Sequence, residues 1–114
     1  MASSAAADLD YRPSYLAAGI ASALVLVLYV LTLAPSTAMW DTSEYIAAAY
    51  ILGLPHPPGN PFFVLIGKFF TLLPIGGSIA ARVNVLAAVS SAVSAGMWFL
   101  ITERVLVGWF PRRP

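Results

Sequence analysis

Cysteine is absent from this 114-residue sequence, which excludes disulfides, thiolate metal sites and a cysteine nucleophile. Charge is scarce: Asp, Glu, Lys and Arg make up 10% of the residues, the formal net charge is +1, and no basic tract occurs. Binding to nucleic acid therefore has no electrostatic footing. Histidine occurs once, and neither an internal repeat nor a low-complexity linker is present. What fills the chain is apolar: 60% of the residues are hydrophobic and the mean hydropathy is +0.83. A soluble domain carries roughly a quarter charged residues and fewer apolar ones, so the composition points to an integral membrane protein in contact with the lipid bilayer. Two crossings cannot enclose a large core. The chain is expected to be either a small subunit or the first part of a longer protein.

The apolar residues fall into segments with clear stops. Residues 1–14 are polar and alanine-rich and read as a cytoplasmic tail. Tyr15 to Leu33 is an unbroken apolar run of about 19 residues, enough to span the hydrocarbon core, and Pro35 ends it. A signal peptide is the competing interpretation, but the tail carries Asp8 and Asp10 beside its one Arg12, the wrong charge for a signal start. A second crossing is expected over 83–104, with Glu103 and Arg104 at its exit and a tail over 105–114 whose Trp109 and Phe110 suit the interface. Lys and Arg are richer at the two ends (Arg12, Arg104, Arg112, Arg113) than in the connection (Lys68, Arg82). That bias puts both ends inside and the loop, 35–82, outside.

Within the loop two short helices are expected, interfacial or re-entrant. The first runs from Asp41 to Leu52, with Asp41 as N-cap, Glu44 completing a capping box and Gly53 as the stop. The second covers Phe62 to Leu73, opened by Asn60 and Pro61 and closed by Pro74, Gly76 and Gly77. At about a dozen residues it is too short to span, and its Lys68 is read as snorkelling. Ser78 starts the helix of the second crossing. The fold expected is thus all-α: a membrane protein of two transmembrane helices, 15–34 and 83–104, joined by an external loop. Small residues four apart in the second span (Ala87, Ser91, Ala95; Ala92, Gly96) suit close packing, either against the first span or against further transmembrane helices of a longer chain.

Chemistry concentrates in Trp40-Asp41-Thr42-Ser43-Glu44-Tyr45, in His56-Pro57-Pro58-Gly59-Asn60-Pro61, and in Arg82-Val83-Asn84. Each polar residue has two interpretations. Asp41 is a general base or a helix cap, the latter worth ~1 kcal/mol. The residues alone favour the cap. Glu44 holds an acceptor, orients Asp41, or returns a capping bond. His56 contacts a donor phosphate or an acceptor, or bonds nearby backbone as a turn histidine. Arg82 pairs with a phosphate or snorkels to a headgroup. Asn84, a turn deeper, is costly on a lipid-facing helix and is expected to bond another helix or the loop. Asp41, Glu44 and His56 are of types that suit several divalent ions, but their spacing matches no ligand pattern, so no metal site is assigned.

These three motifs resemble the amino-terminal region of a large family of polytopic membrane proteins, long labelled a domain of unknown function. The family includes the vertebrate transmembrane protein O-mannosyltransferase and many bacterial members, and is similar to the type C glycosyltransferases that use lipid-linked sugars. The resemblance covers nearly the whole chain from the first span through the second. It implies transfer of mannose or another hexose from a polyprenyl-phosphate donor to Ser/Thr hydroxyls of a protein acceptor, with an acidic residue of the first external loop as base. Asp41 is the matching position. Glu44 would join it in catalysis, with His56, Arg82 and Asn84 binding substrate, no certain cofactor, and a bacterial inner (plasma) membrane as the expected location. Two departures stand out. Family members often carry serine then glycine between the two acids, where this chain has Thr42-Ser43. They also continue through many more spans, so this chain is expected to be an amino-terminal fragment, inactive alone. The competing class is a non-catalytic membrane scaffold or an accessory subunit of a transporter.

Overall fold

In the computed structural model, residues 11–37 and 40–109 are described. Residues 1–10 of the tail expected over 1–14, and residues 110–114 of the tail expected over 105–114, lie outside them. Every regular element among the described residues is a helix: α1 (Tyr15–Leu31), α2 (Thr42–Ile51), α3 (Pro61–Leu72) and α4 (Ile79–Trp109). The all-α expectation holds. One described helix, α4, is long and apolar enough to cross a membrane, with 31 residues and a mean hydropathy of 1.8 over its best window. The first expected crossing is a shorter apolar helix of 17 residues. It stops at Leu31 because the last turn tightens: Leu33 N–H bonds the Val30 carbonyl, and the Thr32 hydroxyl turns back onto the Leu28 carbonyl. Helix α4 runs past both ends of the expected crossing and includes Arg82, Glu103 and Arg104.

The described residues divide into two compact units, one made of those up to Leu26 together with those from Ser91 onward, the other of those between Val27 and Ser90. In the first, small residues let α1 and α4 approach closely. Ala18 and Ala92 are buried. The Ser22 hydroxyl donates to the Ala92 carbonyl at 2.8 Å, and a β-carbon on Gly96 would strike Ser22 Oγ. Of the two small-residue stripes, Ala92–Gly96 therefore packs against the first helix, while Ala87 and Ser91 are exposed. Glu103 reaches the start of α1, accepting from Tyr11 Oη at 3.0 Å and from both the N–H and the hydroxyl of Ser14. It thereby satisfies a free donor at that helix's N-terminus.

The second unit carries the loop. Helices α2 and α3 pack as a hairpin around Ile46, Ala49 and Val83, with Phe63, Ile79 and Ala80 against them. Contact at Gly67 is closest, where an added β-carbon would lie 2.7 Å from Ala49 Cβ. Helix α2 ends on Leu52 in the left-handed region (φ 57), with Gly53 N–H on the Ala48 carbonyl. The left-handed stop thus falls one residue before the glycine expected to make it. Pro61 opens α3 as expected, but Asn60 makes no side-chain cap and sits at φ 40. The Pro57–Pro58 bond is cis. Ser78 caps α4, accepting from Ala81 N–H at 3.1 Å while its hydroxyl donates to the Pro35 carbonyl at 2.7 Å. Lys68 does not snorkel freely. Its ammonium donates to the Tyr50 carbonyl at 2.6 Å and lies 5.2 Å from the Tyr50 ring centre.

Candidate functional site

The first turn of α2 and the turn after it bring Asp41, Glu44 and His56 together. The capping box expected of the two acids does not form: Asp41 makes no side-chain cap bond. Glu44 turns instead to His56, accepting its backbone N–H on Oε1 at 2.5 Å, while His56 Nδ1–H reaches Oε2 at 2.8 Å. Two donors of one residue, one on the ring, offer a carboxylate more than the single N–H of a cap. The imidazole is thereby oriented with Nε2 toward Asp41, 3.7 Å from Oδ2, beyond hydrogen-bond range but close enough for charge to matter. Electrostatics follow the geometry. The His56 hydrogen bonds, side chain first, lower the Glu44 pKa. The same bond and the charge of Glu44, with a smaller contribution from Asp41, raise that of His56. Donor atoms of the three side chains lie within 4.8 Å of one another, as a divalent ion would require. Glu44 and His56 already satisfy each other there.

Asp41 is left open. Its side chain is 61% exposed, and it borders a cavity of about 390 Å³ with Trp40, Thr42, Tyr45, Phe63 and Asn84. Tyr45 lies one helical turn after Asp41 on the same face of α2. Its ring meets Phe63 edge-on at 5.5 Å and His56 at 5.9 Å. Its hydroxyl accepts from Asn60 Nδ2 at 2.6 Å, which is where the expected α3 cap has gone. Tyr45 and Phe63 also border a second cavity of about 500 Å³ with Asn60, Pro61 and Phe62.

Two of the expected substrate residues have framing bonds. Asn84 Nδ2 donates to the carbonyls of Ala34 at 2.8 Å and Ser36 at 3.2 Å, tying the end of the first apolar segment to α4 and meeting the expectation of a loop contact. Arg82 donates from Nε to the Ile75 carbonyl at 3.0 Å and from a terminal nitrogen to the Thr71 carbonyl at 2.8 Å. It closes the C-terminus of α3, whose last carbonyls have no intrahelical partner. Asn84 nevertheless lines the Asp41 cavity, and Arg82 does not.

The sequence profile of the protein O-mannosyl-transferase TMEM260 N-terminal domain matches residues 41–113. The chain belongs to that family. The match begins at Asp41, so the acidic cluster, the proline turn and the whole of α4 lie inside the family's domain. The mouse protein O-mannosyl-transferase TMEM260 is 42% identical over 84 residues, covering 73% of this chain and 12% of the mouse protein. The Dictyostelium discoideum protein of the same name is 28% identical over 71 residues, covering 60% of this chain and 9% of that protein. The chain thus spans about an eighth or less of the relatives it matches. No solved structure matches it. Family membership and the long apolar helix together mark a membrane protein related to glycosyltransferases.

Trp40, Tyr45, Asn60 and Phe63 line the cavities without having been singled out as site residues. Tyr45 was legible from its spacing to Asp41. Asn60 and Phe63 reach the site only through the α2–α3 hairpin, which no local pattern reveals.

Proposed function

We propose that this chain is the amino-terminal part of a membrane glycosyltransferase that moves mannose, or another hexose, from a polyprenyl-phosphate donor to serine and threonine hydroxyls of a protein acceptor. In this proposal residues 15–34 and 83–104 cross the bilayer, the loop 35–82 faces outside, and further transmembrane helices complete the donor site. Asp41 is the base. The acceptor oxygen attacks the anomeric carbon as the bond from that carbon to the phosphate oxygen breaks, and the hydroxyl proton passes to the Asp41 carboxylate. Glu44 holds His56, and His56 steadies the carboxylate beside it. Arg82 spends two N–H groups on carbonyls, which leaves the rest of its five-donor fork for the donor phosphate. Asn84 keeps the cavity wall in register.

The observation that supports this reading best is the freedom of Asp41. A carboxylate serving as a cap would be turned onto its own helix, whereas this one makes no capping bond and borders a cavity. Geometry of that kind is what a general base requires. The test is to replace the equivalent of Asp41 by Asn in the full-length mouse relative. Transfer to acceptor peptides is expected to vanish while the amount of protein in the membrane is unchanged. Undiminished transfer removes the assignment.

A further inference from the structure

We propose that Trp40 is the stacking platform for the hexose ring, in the cavity bordered by Asp41; the inference rests on the glycosyltransferase reading above. The cavity, about 390 Å³, falls within the range of roughly 300–1,000 Å³ for small-molecule sites. Its lining combines the aromatic rings of Trp40, Tyr45 and Phe63 with the polar groups of Asp41, Thr42 and Asn84. No Lys, Arg or His lines it. A phosphate there would meet the Asp41 carboxylate, with only the His56 ring, which is engaged by Glu44 and outside the lining, to offset the repulsion. A neutral polyol suits the same lining: its hydroxyls bond the carboxylate and the amide, and its C–H face lies on an aromatic ring. The Asn84 amide is already fixed, because Nδ2 donates to the Ala34 and Ser36 carbonyls. Its carbonyl oxygen therefore has a set orientation for a sugar hydroxyl.

Among the aromatic rings Trp40 is the one whose position packing does not explain. It is 87% exposed, so burial does not hold it. Its backbone stands at φ 65, a left-handed conformation that is unfavourable for a bulky residue. Strain of this kind collects at ligand sites, where a side chain must be aimed. The conformation sets the indole at the cavity edge next to the carboxylate that would receive the hydroxyl proton. A sugar stacked on it has its anomeric carbon within the reach of a hydroxyl bound at Asp41.

The test uses this chain in lipid nanodiscs, with Trp98 and Trp109 replaced by Phe so that Trp40 alone emits. Titration with methyl α-D-mannopyranoside is expected to give a saturable change in emission, with an affinity at least tenfold weaker after Asp41→Asn. If those replacements disturb folding, the unsubstituted chain compared with Trp40→Phe gives the same readout. In the full-length mouse relative, replacing the equivalent of Trp40 by Ala should raise the donor KM at least tenfold with a smaller change in kcat, and replacement by Phe should stay within threefold. Emission that responds to brominated lipid and not to the glycoside overturns the proposal and makes Trp40 an interfacial anchor. The binding arm needs no turnover, so the two failures separate. Loss of transfer on Asp41→Asn without any sugar response at Trp40 sinks the platform alone. Unchanged transfer on Asp41→Asn sinks the transferase reading.

Discussion

Placing a methyl group on Gly67 tests whether the α2–α3 hairpin is what presents the site. The added β-carbon would lie 2.7 Å from the β-carbon of Ala49, where ordinary contact begins at 3.4 Å. Ala49 is fully buried, so neither atom can swing aside and the two helices must part. Overpacking of this kind costs roughly 1–3 kcal/mol. Against it stands the gain of about 1 kcal/mol from replacing glycine by alanine inside a helix, so Gly67→Ala alone is expected to destabilise by about 0–2 kcal/mol. Ala49→Gly alone loses that propensity and a buried methyl, together about 2 kcal/mol. The exchange Ala49→Gly with Gly67→Ala moves the methyl from one helix to the other, cancels the propensity changes and relieves the collision. It should sit near wild-type stability, about 2–4 kcal/mol better than the summed single changes. Thermal unfolding in detergent, followed by circular dichroism, measures all four chains. Additive effects, or an exchange no better than its worse parent, would show that α2 and α3 are not packed through this contact, and the joining of Asp41 and Glu44 to Tyr45, Asn60 and Phe63 would lose its support.

The other predictions are briefer. Glu44→Gln should bring the raised His56 midpoint back toward its ordinary value of 6.5, read by NMR titration of the imidazole; an unmoved midpoint refutes the pairing. In the intact chain the His56 contribution is fully present below pH 6.5 and lost as pH rises through its raised folded value. Glu44 contributes fully above pH 4.5 and loses this as pH falls through its lowered value. Hydrogen-exchange protection of the His56 amide is therefore expected to peak between those two pH values. Arg82→Met removes two charged donors from carbonyls at the edge of the fold and should destabilise by about 1–3 kcal/mol. Arg82→Lys keeps the charge without the fork, so near-normal stability and donor KM would refute the framing role. Gly96→Val should disrupt the α1–α4 contact by about 1–3 kcal/mol, and Ser22→Ala should recover part of the loss.

How much of this was legible in the sequence depended on how local the cause was. Pro61, Ser78 and Pro35 act on their own backbones, and the elements they bound lie close to where those residues put them. The capping box failed for a physical reason. Glu44 is in range of two donors on His56, 12 positions away, and those donors outbid a helix N–H. The Asn60 cap failed in the same way, since the Tyr45 hydroxyl stands opposite it. Arg82 was read for charge, while the free carbonyls at the end of α3 claim its donors. Each is a competition decided by a partner brought in by the turn. Spacing along the chain does not contain that information.

Those lost caps bear directly on the site. With the Glu44 carboxylate committed to His56, neither acid caps α2, and the partial positive charge of the helix start favours an anion nearby. Asp41 stands at that end and is not consumed by it. A carboxylate in full capping geometry would have its lone pairs directed at backbone donors and be a poorer acceptor for an incoming hydroxyl proton. One that stands near a helix start without capping it, 3.7 Å from an oriented imidazole, keeps its lone pairs available to that proton. On this argument His56→Ala should act through Asp41. Released from its neighbour, Asp41 would fold back to cap α2, which raises helix stability while transfer in a full-length relative falls. Stability and transfer that fall together would instead mean that His56 serves only to hold the turn.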